Sequence, residues 1–159
     1  MSSNLPAYTF ARLNNKDEAL RIILLILIRD PSYQMLPMRQ IHTFYASISN
    51  DNYLLLLSEN KVLGVMLWMG VSAKVKEDCL REDRSPYTNE LVAKGEAIYC
   101  TAFSGIEPGV LLPLWKQFIK IYQRQDILFK RHFKKGERKS KPIALIRQQR
   151  LIKAANKLL

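Results

Sequence analysis

Two apolar runs separated by two turn-forming residues constrain this chain more than any other feature. Tyr53-Leu54-Leu55-Leu56-Leu57-Ser58 meets Glu59-Asn60, and Lys61-Val62-Leu63-Gly64-Val65-Met66-Leu67-Trp68-Met69-Gly70-Val71 follows at once. Such runs predict strands, and the two-residue junction predicts that they pair as a hairpin. Gly64 lies inside the second run and Gly70 near its end. Glycine at such places marks a bulge or the close approach of another group.

Helical patterns precede the hairpin. Asn14 or Asn15 caps a helix that starts near Asp17-Glu18, acids suited to the positive end of a helix dipole. It continues through Ala19-Leu20-Arg21 and the wholly apolar stretch 22–28, and Pro31 opposes continuation past Asp30. A short turn over 32–36 leads to Pro37, which suits the first position of a second helix. Ile41, Phe44, Tyr45 and Ile48 recur there at the spacing of one buried face, and Ser49-Asn50-Asp51-Asn52 ends it.

After the hairpin the pattern alternates. Residues 74–80 predict a short helix, 81–88 a polar loop containing Pro86, and 96–103 a third strand ending at Ser104-Gly105-Ile106-Glu107-Pro108-Gly109. Residues 110–125 carry Leu111, Leu114, Trp115, Phe118, Ile119 and Tyr122 on one side, an amphipathic helix. Residues 127–133 predict a fourth strand and 142–159 a terminal helix. Trp68 and Trp115 fall among periodic apolar neighbours, as core or near-core residues do. Helices, then a hairpin, then strand–helix–strand make an α/β sandwich.

Composition narrows the class. The 159 residues are 48% hydrophobic and 25% charged, enough for one globular domain with its own core. Cys79 and Cys100 have no CxxC or Cys/His cluster around them, so neither a disulfide framework nor a metal site is expected. Buried thiols fit a reducing cytoplasm. Residues 1–10 lack the basic start and apolar run of a secretory leader. The apolar stretch 22–28 is far short of the roughly 20 residues that span a bilayer. The net charge of +11 is unevenly placed: residues 130–159 hold eleven Lys/Arg and one acid, Glu137. A neutral body with a cationic tail points to an anionic partner: an acidic protein, nucleic acid or a membrane surface.

The order Asp30-Pro31-Ser32-Tyr33-Gln34-Met35-Leu36-Pro37-Met38, then Tyr53 to Leu57, then Val62 to Trp68, resembles the N-terminal half of the toxin-activating lysine acyltransferases, which fatty-acylate RTX haemolysins. The resemblance covers roughly residues 19–135 and rests on several spacings together. It implies a GCN5-related N-acetyltransferase-like sandwich, an α/β fold with a central, mostly antiparallel sheet flanked by helices. It also implies an acyltransferase-like domain over 1–135, a basic, helical C-terminal extension over 136–159, and a homodimer. The donor it implies is a fatty acyl group borne by acyl carrier protein, with no resident cofactor.

The resemblance also implies that the catalytic pair is replaced. The family's histidine corresponds to Tyr33, and its aspartate to Tyr99, or to Cys100 if the register slips by one. A lysine attacks a thioester only as the neutral amine, so a base titrating near neutrality must take its proton. Tyrosine, at about 10, does not suit that task. Two substitutes exist: His42 as base and Cys100 as nucleophile; each also reads as a structural residue. Tyr33 and Tyr99 either fill the emptied pocket or give it a new binding role. Lys130, Arg131, Lys134, Lys135, Arg138, Lys139 and Lys141 form the partner-facing cluster. It suits an acidic acyl carrier protein, phosphate backbones or solvent alone. Arg147, Arg150, Lys153 and Lys157 continue it along the expected terminal helix, beside Ile143, Ile146, Leu151 and Leu158. The expectation is a divergent, non-catalytic acyltransferase-like protein with a retained binding role. Nucleic-acid binding on the same scaffold and acyl transfer by altered groups are the rivals.

Overall fold

The computed structural model describes residues 7–122, 124–130 and 143–146. The chain runs β1 (Thr9–Ala11), α1 (Lys16–Leu27), α2 (Met38–Ser49), β2 (Tyr53–Ser58), β3 (Lys61–Val71), α3 (Ala73–Glu82), β4 (Ala97–Gly105), α4 (Leu111–Ile121), β5 (Asp126–Lys130) and β6 (Ile143–Ile146), with 3-10 turns at Pro31–Tyr33 and Thr88–Glu90. The six strands form one sheet in sequence order. Every neighbouring pair is antiparallel except β4 and β5, which are parallel. A parallel pair needs a crossover connection, and α4 supplies it. The mostly antiparallel α/β sandwich expected from sequence is the observed one.

Local chemistry explains the helices. The Asn15 side chain accepts from the N–H groups of Asp17 and Glu18 and caps α1, with those two acids in its first turn. Asp30 caps the Pro31–Tyr33 turn through Ser32 N–H, 2.9 Å away. The four leucines of β2 do not alternate with polar residues because both faces of the sheet are covered. Leu55 faces α1 and α2, in a core with Ile23, Leu27, Phe44, Ile48, Tyr53, Val65 and Leu67. Leu54 and Leu56 face the other layer, where Met66, Trp68, Ile98, Leu114 and Phe118 pack under α4. The fully buried Trp68 donates its indole N–H to the Tyr122 hydroxyl at 2.7 Å. Gly70 marks a close approach, as expected: a Cβ there would lie 2.3 Å from the Gly95 nitrogen.

Two expectations are corrected, and one strand is added. β1 was not anticipated; three residues carry too little pattern, and β1 exists because β2 offers it an edge. The helix expected over 110–125 ends at Ile121, since the chain must turn before β5 starts at Asp126. Ile143–Ile146, expected to open a terminal helix, instead pairs antiparallel with β5 as the last strand of the sheet. Four apolar residues fit either structure, and an open sheet edge decides for strand. The remainder of that expected helix lies outside the described residues, as do Arg131, Lys134, Lys135, Arg138, Lys139 and Lys141.

Candidate functional site

The central strand β4 changes character halfway. Ala97 to Cys100 pair with β3 on one side and with Asp126 to Phe129 of β5 on the other. Against β3 the register then slips: Trp68 faces Cys100 and Leu67 faces Ala102, so Thr101 is an extra residue, a bulge. Beyond it β4 runs on to Gly105 with β3 alone, while β5 ends at Lys130. The sheet opens there. A cavity of about 1010 Å³ occupies the opening. That is at the upper end of ligand-sized cavities.

Four parts of the chain wall it. Cys100, Thr101, Ala102 and Phe103 come from β4 around its bulge, with Phe129 and Lys130 from β5. Leu111, Leu112 and Trp115 come from α4; Tyr33, Met35, Arg39, Gln40, Thr43 and Phe44 from the turn before α2 and its first half. Residues Arg84 to Thr88, with Leu91, form the remaining side. Trp115 is its aromatic centre, with Phe103 and Phe129 rings 5.9 and 5.7 Å away. Met35, Tyr87 and Leu112 line the mouth and are largely exposed.

Tyr33 is fixed at the opening from both ends. Its turn is tied to β4 by Asp30, whose second carboxylate oxygen accepts from the buried Ser104 hydroxyl at 2.9 Å. Its ring meets Phe44 edge-on at 6.5 Å. Its hydroxyl accepts from Phe103 N–H at 3.1 Å and lies 3.5 Å from the Phe103 carbonyl. Burial pushes the Tyr33 hydroxyl well above the ordinary tyrosine value, against the opposing pull of the Phe103 backbone. Tyr99 shares the cavity, but its hydroxyl donates to the Ser85 Oγ at 3.1 Å, and burial raises its pKa as well.

The substitutes fare differently. Cys100 lies in the wall, but burial pushes its thiol up to about 12. His42 is exposed on α2 and is not a wall residue, although Gln40 and Thr43 beside it are. Lys130 is in the wall; the other basic-cluster residues named above are not described.

Of the polar loop expected over 81–88, residues 81 and 82 belong to α3, and residues 84–88 form a braced wall together with Glu90 and Leu91. Arg84 meets both Glu90 oxygens at 2.8 and 3.0 Å and Glu82 at 2.7 Å, with its guanidinium 4.1 Å above the Tyr87 ring. The hydrogen bond from Arg84 holds the Glu90 carboxyl below the usual range. Its charge is therefore committed to carboxylates, whereas Arg39 and Lys130 show no ion pair among the described residues. No sequence motif flags this brace. The turn into α4 is unsuited to a phosphate, since Glu107 is anionic and Pro108 has no N–H. Among the described residues no three His, Cys, Asp or Glu side chains gather at a possible metal position. Nor is any helix there long and apolar enough to cross a membrane.

No protein-family model matches the sequence, and no curated protein matches it. Solved structures do. The loading GNATL domain of CurA from Lyngbya majuscula aligns with a TM-score of 0.61 at 12% identity, over 82% of this chain and 67% of that one. A mosquito arylalkylamine N-acetyltransferase like 5b aligns at 0.49 and 10% identity, covering 77% and 76%. A structure described as histone acetyltransferase HPA2 and related acetyltransferase, from Corynebacterium glutamicum, aligns at 0.49 and 12%, covering 96% and 83%. The first likeness carries the fold: this chain has the architecture of the GCN5-related N-acetyltransferases.

Proposed function

We propose that this protein is a non-catalytic acyl-binding protein built on an acyltransferase scaffold, diverged from the toxin-activating lysine acyltransferases. One observation carries the reading: the described walls of the cavity hold no Asp, Glu or His. Deprotonating an attacking amine requires a group that titrates near the working pH. The available hydroxyls, Tyr33 and Tyr99, are pushed up by burial, and the Cys100 thiol is pushed up to about 12. A thiolate nucleophile is thus suppressed where a transferase would need it.

What remains is suited to holding. The apolar surfaces of Leu111, Leu112, Trp115, Phe103 and Phe129 suit a long alkyl chain, and Arg39 and Lys130 suit an anionic end. An acidic acyl carrier protein is the macromolecular partner that matches the basic residues following Phe129. Intact-mass measurement tests the reading. Incubated with acyl-loaded carrier protein and a lysine-containing acceptor peptide, the protein should yield no lysine acylation above the uncatalysed background. Robust turnover would overturn the non-catalytic reading. Charge reversal at Lys134 and Lys135 together should weaken carrier binding, with competing carrier displacing the complex better than competing DNA. Unchanged affinity would remove the basic cluster from the account.

A further inference from the structure

The opening in the sheet poses a hydrogen-bonding question. Past Thr101, the edge of β4 turned toward β5 has lost its partner strand, and main-chain N–H and C=O groups out of reach of water must find partners. Both groups of one strand residue point to the same edge, and a single Tyr33 hydroxyl meets both groups of Phe103, at 3.1 and 3.5 Å. Tyr33 thus does for Phe103 what a neighbouring strand would do. Its ring is fixed against Phe44, its turn is anchored by Asp30 on Ser104, and it is only 8% exposed. This hydroxyl is a built part of the cavity rather than a loose side chain.

The occupied groups matter for what can enter. A ligand arm containing amides gains most of its affinity beside an open sheet edge by pairing with that edge as an added strand. A plain alkyl chain needs no such pairing. We infer that Tyr33 sets the specificity of this cavity: by occupying the Phe103 main chain it favours long-chain carboxylates and disfavours acyl groups carried on an amide-bearing arm. The inference rests on the acyl-binding reading above and narrows the cavity's ligand to a free fatty carboxylate, with Arg39 and Lys130 as the cations available to its head group; acyl carrier protein is then a partner of the basic residues after Phe129, docked without its arm in the cavity.

Three probes share one acyl chain and one anionic end: dodecanoate, S-dodecanoyl-4′-phosphopantetheine with two amides in its arm, and S-dodecanoyl-3-mercaptopropionate with none. Titration calorimetry on the full chain should find the two amide-free probes bound within about threefold of each other, and the amide-bearing one about tenfold or more weaker. Tyr33→Phe, which keeps the ring on Phe44, should strengthen the amide-bearing probe about tenfold relative to dodecanoate. Equal affinity of all three probes for the unaltered protein would overturn the inference while sparing the acyl-binding reading. So would Tyr33→Phe that leaves their ratio unchanged. Failure of every probe to bind either protein would overturn both. The comparison of three probes on the unaltered chain decides the matter even if Tyr33→Phe folds poorly.

Discussion

Along β4, Ala97 to Cys100 are held between two neighbouring strands, whereas residues 101–105 have β3 alone. The two halves are alike in composition: Ile98 and Cys100 are apolar, and so are Ala102 and Phe103. They differ because one extra residue, Thr101, shifts the register where β5 departs. The first half closes a core, with Ile98 packed among Trp68, Leu114 and Phe118, and only its end, Tyr99 and Cys100, reaches the cavity. The second half walls a cavity, its main chain served by Tyr33 instead of a strand. Pairing, more than side-chain character, separates the packed part of the sheet from the part that can receive a ligand.

The largest expected effect compares the halves directly. Ile98→Ala should destabilise by about 2–5 kcal/mol, since it empties space that surrounding residues cannot refill. Phe103→Ala, from a half-buried ring beside existing open volume, should cost about 1–2 kcal/mol. Urea unfolding measures both. Equal losses would mean that the second half is packed as tightly as the first.

Alkaline pH should act on the groups flanking the bulge. Cys100 has its thiol raised by burial to about 12, against an ordinary value of about 8.5. Between those values the unfolded chain has lost a proton that the folded chain keeps, so ionisation favours unfolding. The contribution is fully present below about pH 8.5 and is lost as pH rises toward 12. Tyr33 and Tyr99, raised in the same direction, add to the decline from about pH 10. A shallower alkaline slope in Cys100→Ala than in the unaltered protein checks the assignment. An identical slope would remove Cys100 from it.

The smallest effect sharpens the description of the bulge. The Thr101 Oγ1 is buried with no hydrogen-bond partner among the described residues. Thr101→Val replaces that hydroxyl with a methyl and should stabilise the fold by about 1 kcal/mol, because an unpaired buried hydroxyl is removed. A loss of stability would show that this hydroxyl is satisfied in solution.

The sequence made the sheet more legible than the site. The strands Tyr53–Ser58 and Lys61–Val71 were delimited by their own residues, because a hairpin is a local structure. The pairing of Tyr33 and Tyr99 in one cavity followed from a family resemblance, not from spacing. The bulge at Thr101 was invisible, since register belongs to two strands and neither states it alone. The Arg84–Glu90 brace read as charged loop because its meaning lies in which side chains it presents to the cavity. Ile143–Ile146 misled for the opposite reason: its local pattern suited a helix, and a long-range edge overrode it.

The most direct test fills the opening. Thr43 lies in the cavity wall on α2 and is only partly buried, so Thr43→Trp can project bulk into the space without displacing core residues. Calorimetric titration with dodecanoate should show saturable one-to-one binding to the unaltered protein and affinity reduced at least about tenfold in Thr43→Trp, with the thermal unfolding midpoint of the two proteins alike. Absence of saturable binding, or unchanged binding by a folded Thr43→Trp, would contradict the claim that this opening in the sheet is an acyl-binding site.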